Sequence, residues 1–227
     1  IIASKSGDII LDFFSGSSAT AHAVMQLNAE DGGKRKYIMV QLPEETPEDS
    51  EARKAGYNTI PEIAKERIRR AGKKIKEESP LTTQNLDTGF RVFRLADSNF
   101  EEVKKSPAEY DQSQLDLFLN NVKSDRTDLD LLFGAMLSWG VQLSLPMTSE
   151  EVDGKMIYSV NDGDLVACFA DDITENIVKA MADKHPLRVL FRDSCFSRDD
   201  AKINVFESLK QQLDWSEEEA MKNIKVI

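Results

Sequence analysis

The chain is poor in the residues that build metal sites and disulfide frameworks. Among its 227 residues are two cysteines, Cys168 and Cys195, and two histidines, His22 and His185. These four residues lie far apart, without the short spacings typical of zinc ligands, so no metal site is expected. Two cysteines beside apolar runs indicate buried thiols in a reducing cytoplasm rather than a disulfide framework.

The sequence also lacks a long hydrophobic run and an excess of positive charge. No apolar stretch approaches the roughly 20 residues that a transmembrane helix needs, so no contact with a membrane is expected. The net charge is −11, with 40 acidic and 29 basic side chains spread along the chain. Because a protein that binds DNA by itself usually has a basic surface, most phosphate contacts of any DNA-binding function are expected elsewhere in a longer protein.

The most informative segment lies near the start of the chain. An apolar run, Ile9–Leu11, ends in Asp12 and is followed by a glycine–serine turn and an amphipathic sequence that starts near Ser18. A strand, a loop and a helix in this order present backbone N–H groups to a nucleotide-like ligand. Gly16 lacks a Cβ and permits close approach to the backbone. A dinucleotide loop would have the pattern Gly-x-Gly-x-x-Gly, and Gly16 is its only glycine here.

The amino-acid sequence of this loop resembles a known family motif. Asp12-Phe13-Phe14-Ser15-Gly16-Ser17-Ser18-Ala19-Thr20 is similar to motif I of amino-group DNA methyltransferases, Asp-Pro/Phe-Phe-x-Gly-Ser-Gly-Thr, with Ser18 in place of the second glycine. The continuation through residue 28 resembles the modification subunit of type III restriction–modification systems. So do the segments 41–44 (Gln-Leu-Pro-Glu), 143–146, 165–169 and 189–194.

The resemblance implies a cofactor and the residues that contact it. The cofactor is S-adenosylmethionine, which fits the single glycine better than a dinucleotide does. Gln41, by position, or Glu44, by chemistry, is expected to contact its ribose. The residues expected around its methionine end and at the helix terminus are Asp12, Phe14, Gly16, Ser18 and Thr20.

The pattern along the chain predicts an α/β protein in three parts. Residues 1–95 are expected to form a Rossmann-like half-domain, residues 96–145 a helical connection, and residues 146–227 a small α/β domain. In the first part we predict strands over 8–13, 37–42 and 90–95, with the first two parallel, and helices over 18–29 and 60–76 around a surface excursion at 44–58. Leucine-rich patterns predict helices at Leu115–Val122 and Leu129–Met136, with Gly140 as a stop. The last part is predicted to contain strands over 155–160, 165–170, 187–193 and 224–227, and helices over 172–184 and 200–213.

Three other groups of residues have an ordinary structural interpretation. His22 is expected to be a packed or half-exposed helix residue rather than a proton carrier. Asp171 and Asp193 end predicted strands, where open sheets bind ligands, yet the pair Asp171-Asp172 is more simply a helix cap. One basic cluster fits the solvated face of an amphipathic helix, with DNA phosphates as the alternative: Lys65, Arg67, Arg69, Arg70, Lys73, Lys74 and Lys76.

One feature of amino-methyltransferases has no counterpart in the sequence. They hold the flipped base with an Asp-Pro-Pro-Tyr-like loop, and the chain contains no Pro-Pro pair. The start at Ile1-Ile2 without an initiating Met predicts a C-terminal fragment, since in the resembled family that loop precedes motif I. No catalytic residue is therefore assigned.

The resemblance implies adenine-N6 DNA methylation by the intact protein, with DNA, a second modification subunit and a restriction subunit as partners. The alternative is a non-catalytic dimerisation or assembly module.

Overall fold

The computed structural model describes residues 3–101, 121–196 and 199–227, which form a mixed α/β structure. The chain divides into two compact units, Ile1–Val92 and Phe93–Ile227, and each unit has a sheet of its own. Among the described residues, no helix has both the length and the apolar character that crossing a bilayer requires.

The first unit is organised around two parallel strands. These are β1 (Ile9–Asp12) and β2 (Lys36–Met39), joined by helix α1 (Ala19–Asp31). The predicted crossover between parallel neighbours is confirmed. Gly32 closes α1 in the left-handed conformation, with φ 67°. β2 is shorter than predicted, since it ends at Met39, three residues before the expected end, although Val40 still bonds to Asp12 and Ser15.

Two further helices follow β2. The predicted surface excursion contains a short helix, α2 (Glu51–Lys54), and the predicted long helix is α3 (Ile60–Glu78). A capping box between Thr59 and Glu62 starts α3, and an apolar stripe is buried along its central and C-terminal turns. The buried members of that stripe are Ala64, Ile68, Ala71 and Ile75, whereas Ile60 and Ile63 are half-buried.

In the part of the chain that the structure describes, helices α1 and α3 cover one face of the β1–β2 sheet and the other face has no cover. Met25 of α1 packs with Ile68 and Ile75 of α3, and Tyr37 and Met39 of β2 contact this cluster. The opposite face is apolar and open, with Ile9, Leu11, Ile38 and Val40 between 43% and 63% exposed. Parallel sheets are usually covered on both faces, whereas the described residues cover this sheet on its helical side only.

The predicted strand over residues 90–95 is wrong. No strand forms there, and Leu95 is fully exposed. The apolar residues alternate with basic ones, but most of them are not buried, and Val92 and Phe93 are more than half exposed. Phe90 packs in the first unit beneath the Arg69 guanidinium, 5.6 Å from the ring centre, whereas Phe93 makes an edge contact with Phe133 in the second.

The second unit contains a five-stranded mixed sheet in sequential order. Its strands are β3 (Met147–Val152), β4 (Lys155–Val160), β5 (Leu165–Cys168), β6 (Arg188–Phe191) and β7 (Ile224–Val226). The first three are antiparallel and the last three parallel, and the strands predicted over 155–160 and 165–170 pair as a hairpin. Strand β3 was not predicted, although Asp153-Gly154 is a hairpin turn sequence.

Helices cover both faces of this sheet. The predicted helix α4 (Asp128–Ser138) packs on one face and is followed by Gly140 with φ 68°. The predicted helix at Leu115–Val122 falls almost wholly outside the described residues. On the other face lie α5 (Glu175–Ala182), α6 (Asp199–Gln212) and the unpredicted α7 (Glu217–Asn223).

The predicted cap of α5 is wrong. The helix begins at Glu175, and the hydroxyl of Thr174 accepts a hydrogen bond from the Ile177 N–H. Asp172 has φ 56°, so the chain turns there before the helix starts. Asp171 forms an ion pair with Arg192 at 2.8 Å instead, which explains its acidic side chain without a capping role.

Candidate functional site

The predicted ligand loop lies between β1 and α1, over residues 13–18. The N–H of Ser15 donates to the carbonyl of Val40 at 3.2 Å, and the N–H of Val40 donates to the carbonyl of Asp12 at 2.8 Å. The loop therefore starts as a continuation of the strand pairing. Gly16 has φ 53°, and a Cβ built on it would meet nothing within 4 Å, so open space lies beside the turn. A ligand can reach the backbone there.

A side-chain hydrogen bond ties the two ends of the loop together. Thr20, in the first turn of α1, donates from its hydroxyl to Oδ2 of Asp12 at 2.6 Å. Both residues are predicted site residues, and they lie eight positions apart. The bond fixes the start of α1 against the end of β1 and orients the Asp12 carboxylate within the site.

Gln41 anchors the turn from the second strand. Its side-chain Oε1 accepts a hydrogen bond from the Gly16 N–H at 2.8 Å, across 25 positions of sequence. The amide oxygen is therefore engaged with the loop, and the two N–H donors of the side chain are what Gln41 can offer to a ligand. The structure brings Gln41 to the predicted site in this way.

Ser18 adopts a conformation that favours glycine. It is the N-cap of α1, with φ 58° and ψ 43°, and it is buried. Its side chain accepts no capping hydrogen bond, so the first turn of α1 lacks the usual side-chain acceptor. Uncapped N–H groups at the positive end of a helix attract anionic groups such as a carboxylate.

Phe14 and Glu44 occupy exposed positions near the two strand ends. Phe14 is 85% exposed, which leaves its ring free for contact with a ligand or another part of a protein. The backbone carbonyl of Glu44 accepts from the Ile60 N–H at 2.9 Å, so Glu44 is fixed beside the start of α3. Its carboxylate faces solvent.

The contact made by Arg67 was missed at the level of sequence. Arg67 of α3 donates to the hydroxyl of Ser17 at 2.5 Å, although 50 positions separate the two residues. In sequence Arg67 is one member of a basic run, and nothing distinguishes it from its neighbours. Only the packing of α3 against α1 brings it to the glycine loop.

The other candidate residues have structural roles. Asp193 forms an ion pair with Lys202 at 2.7 Å, as Asp171 does with Arg192. Both cysteines are buried, and burial raises the pKa of Cys168 above its usual value and that of Cys195 to about 12. Their thiolates are disfavoured at neutral pH, so neither is suited to act as a nucleophile.

Comparisons with known proteins identify the family to which these elements are related. No protein-family model matches the chain. Over 88 residues it is 50% identical to the Mod subunit of the type III restriction-modification enzyme StyLTI of Salmonella typhimurium. Over 189 residues, 81% of the chain, it is 31% identical to the EcoPI Mod subunit of Escherichia phage P1. The chain is homologous to part of the type III modification subunits.

The similarity to these subunits covers a small share of their length. The matched segments span 13% of the StyLTI Mod subunit and 27% of the EcoPI Mod subunit. The type II methyltransferase M.KpnI of Klebsiella pneumoniae is 41% identical over 64 residues, 28% of the chain and 15% of its own length. The resemblance of the sequence to a modification subunit is thereby confirmed.

Replacing Ser18 by Gly is expected to stabilise this homologue of modification subunits. Relief of left-handed strain outweighs the added freedom of the unfolded chain, for a net gain of about 0.5 kcal/mol. Thermal unfolding of the 227-residue chain measures the effect. Ser17→Gly is the matched control, because Ser17 has no positive φ, and it should lower the stability instead. A lower midpoint for Ser18→Gly would contradict the assignment of strain.

Removing the amide of Gln41 is expected to loosen the turn. Gln41→Leu leaves the Gly16 N–H without its acceptor, at a cost of roughly 1 kcal/mol, whereas Gln41→Glu keeps an oxygen at the same position. Hydrogen exchange at the Gly16 amide is the direct measurement. We expect faster exchange in Gln41→Leu and near-original protection in Gln41→Glu. Equal protection in both variants would show that another group holds the loop.

Proposed function

We propose that this chain supplies the S-adenosylmethionine-binding part of a DNA adenine-N6 methyltransferase, the modification subunit of a type III restriction–modification system. The observation that carries the proposal is the loop between β1 and α1. There an open turn at Gly16 lies beside a helix start without a side-chain cap, in a chain homologous to modification subunits.

The residues of the loop fit the two ends of this cofactor. The methionine carboxylate is an anion that suits the first turn of α1, where helix N–H groups lack a side-chain acceptor. The ribose hydroxyls need acceptors, and the exposed carboxylate of Glu44 is the better candidate because the Gln41 oxygen already binds Gly16. Asp12 is held by Thr20 and Phe14 is exposed, so both are available to line the same site.

The proposed reaction is methyl transfer to the exocyclic amine of adenine. S-adenosylmethionine supplies an electrophilic methyl group on a sulfonium. The amine nitrogen forms a bond to that methyl carbon as the carbon–sulfur bond breaks, and the amine then loses a proton. The described residues of this chain would bind and orient the donor. The groups that hold the flipped adenine are proposed to lie in the remainder of an intact modification subunit.

The fold and the assembly belong to the same proposal. We propose that the first unit is half of a Rossmann-like methyltransferase domain. The second unit is proposed to support pairing with a second modification subunit and association with the restriction subunit. A non-catalytic assembly module remains the competing function, and cofactor binding distinguishes the two.

Gly16→Val is expected to abolish binding of S-adenosylmethionine to the 227-residue chain. The branched side chain would fill the open space beside the turn and strain a residue with positive φ by roughly 1–2 kcal/mol. Gly32→Val is the matched control, since Gly32 has φ 67°, equally open space, and lies at the other end of α1. Isothermal titration calorimetry should show binding in the control and none in Gly16→Val. Unchanged affinity in a folded Gly16→Val protein would remove the loop from the site and favour the assembly module.

The chain by itself is expected to have no methyltransferase activity on DNA. It contains no Pro-Pro pair with which to hold a flipped adenine, and its net charge of −11 opposes binding to the duplex. The measurement is transfer of labelled methyl groups from S-adenosylmethionine to duplex DNA by the 227-residue protein. Incorporation above background would mean that these residues contain a base-binding loop of another kind.

A further inference from the structure

A second concave surface lies along α3 in the first unit. It is a cleft of about 320 Å³ formed by α1, the segment that contains Tyr57, and α3. Its polar lining residues, called here the basic cleft, are His22, Tyr57, Glu66, Arg67, Arg70 and Lys74. None of the residues proposed to contact the cofactor lines this cleft, although Arg67 of its lining donates to Ser17 of the glycine loop.

The basic cleft has an excess of positive charge in a strongly acidic chain. Arg67, Arg70 and Lys74 are basic, and Glu66 is the one carboxylate of the lining, while Glu78 pairs with Lys74 from outside it. The three cations follow one another at intervals of three and four residues, so they share one side of α3. In a chain of net charge −11, such a concentration favours an anionic ligand.

Hydrogen bonds within the protein orient the two arginines of the cleft but do not use all of their N–H donors. Arg67 pairs with no carboxylate among the described residues, and its one hydrogen bond goes to the neutral hydroxyl of Ser17. Arg70 uses Nε for Glu66, at 2.6 Å, and one terminal nitrogen for the Tyr57 hydroxyl, at 3.1 Å. A guanidinium has five N–H donors, so both arginines retain N–H groups for a ligand.

We propose that the basic cleft binds a phosphate group. Guanidinium groups recognise phosphate through paired hydrogen bonds, and a nearby ammonium adds charge attraction. The cleft is open to solvent and much larger than one phosphate, which suits a group that is part of a chain. On the proposed function as a DNA methyltransferase, the source is a phosphodiester of the DNA backbone. Free phosphate has the same chemistry and is separated from it by experiment.

Lys73 and Lys74 provide a matched pair of variants. Both are exposed lysines of α3, paired with Glu77 and Glu78 at 3.7 and 3.6 Å, but only Lys74 lines the cleft. Lys73→Gln and Lys74→Gln therefore remove the same charge from adjacent positions. Arg70→Gln removes a second cleft cation. None of the three is a residue of the proposed cofactor site.

The first measurement is a titration of the 227-residue chain with inorganic phosphate, followed by the NMR amide shifts of residues 57–74. We expect saturable shifts. The phosphate affinity should fall about fivefold or more in Arg70→Gln and Lys74→Gln, and less than twofold in Lys73→Gln. No saturable shift, or equal weakening by the two lysine variants, would overturn the proposal and leave an ordinary solvated helix face.

The second measurement identifies the source of the phosphate. Binding of a labelled duplex is followed by anisotropy at low salt, and the slope of log affinity against log salt is compared. If a phosphodiester binds in the cleft, the magnitude of this slope should fall by about 1 in Lys74→Gln and stay unchanged in Lys73→Gln. Phosphate binding with identical DNA slopes would overturn the DNA source and assign the cleft to free phosphate.

A third readout separates this proposal from the proposed cofactor site. S-adenosylmethionine affinity should be the same in Lys74→Gln and in the unchanged chain, because Lys74 does not contact the glycine loop. Loss of phosphate binding with intact cofactor binding supports two sites. If the chain binds phosphate but fails to bind the cofactor, the proposed function is overturned. The cleft is then a site for free phosphate.

Discussion

The parallel pairing of β1 with β2 places the candidate ligand contacts of the first unit at one edge. In a parallel pair the carboxyl ends of both strands meet, so Asp12 and the residues after Met39 emerge side by side. The pairing continues into the loop through the Ser15 N–H and the Val40 carbonyl, and Gln41 then holds Gly16 by its side chain. Each of these bonds contributes only about 0.5–1.5 kcal/mol, but together they determine where the backbone N–H groups point. The turn is thus positioned by its neighbours rather than by its own sequence.

Ser18 shows that positioning the turn costs some backbone strain. A serine in the left-handed region is strained, and its side chain gives no capping bond in return. Because the Asp12–Thr20 bond and the Gln41–Gly16 bond fix the chain on both sides, the intervening residues have little freedom to relax. An uncapped helix start is unfavourable for an empty protein, whereas it is suited to a protein that binds an anion.

Local patterns predicted much of the fold and part of the candidate site. Hydrophobic periodicity predicted α1, α3 and α4, and the order of strand, helix and strand predicted the parallel pair. The strand expected over residues 90–95 fails because alternation by itself supplies no paired strand. Phe90 packs in the core of the first unit, whereas Phe93 and Leu95 stay exposed. The pairing of Arg67 with Ser17 spans 50 positions, and the packing of α1 on α3 that creates it has no counterpart in local sequence.

The two proposed binding surfaces differ in the physical origin of their positive charge. At the glycine loop it comes from backbone N–H groups and a helix end, whose field falls off within one helical turn. In the basic cleft it comes from full charges on Arg67, Arg70 and Lys74, which act over the Debye length of about 8 Å at physiological salt. The loop therefore selects a ligand that fits closely, while the cleft attracts any phosphate that comes near. Arg67 belongs to the cleft and also donates to Ser17 of the loop, so a movement of this side chain toward a phosphate would alter a contact of the proposed cofactor site.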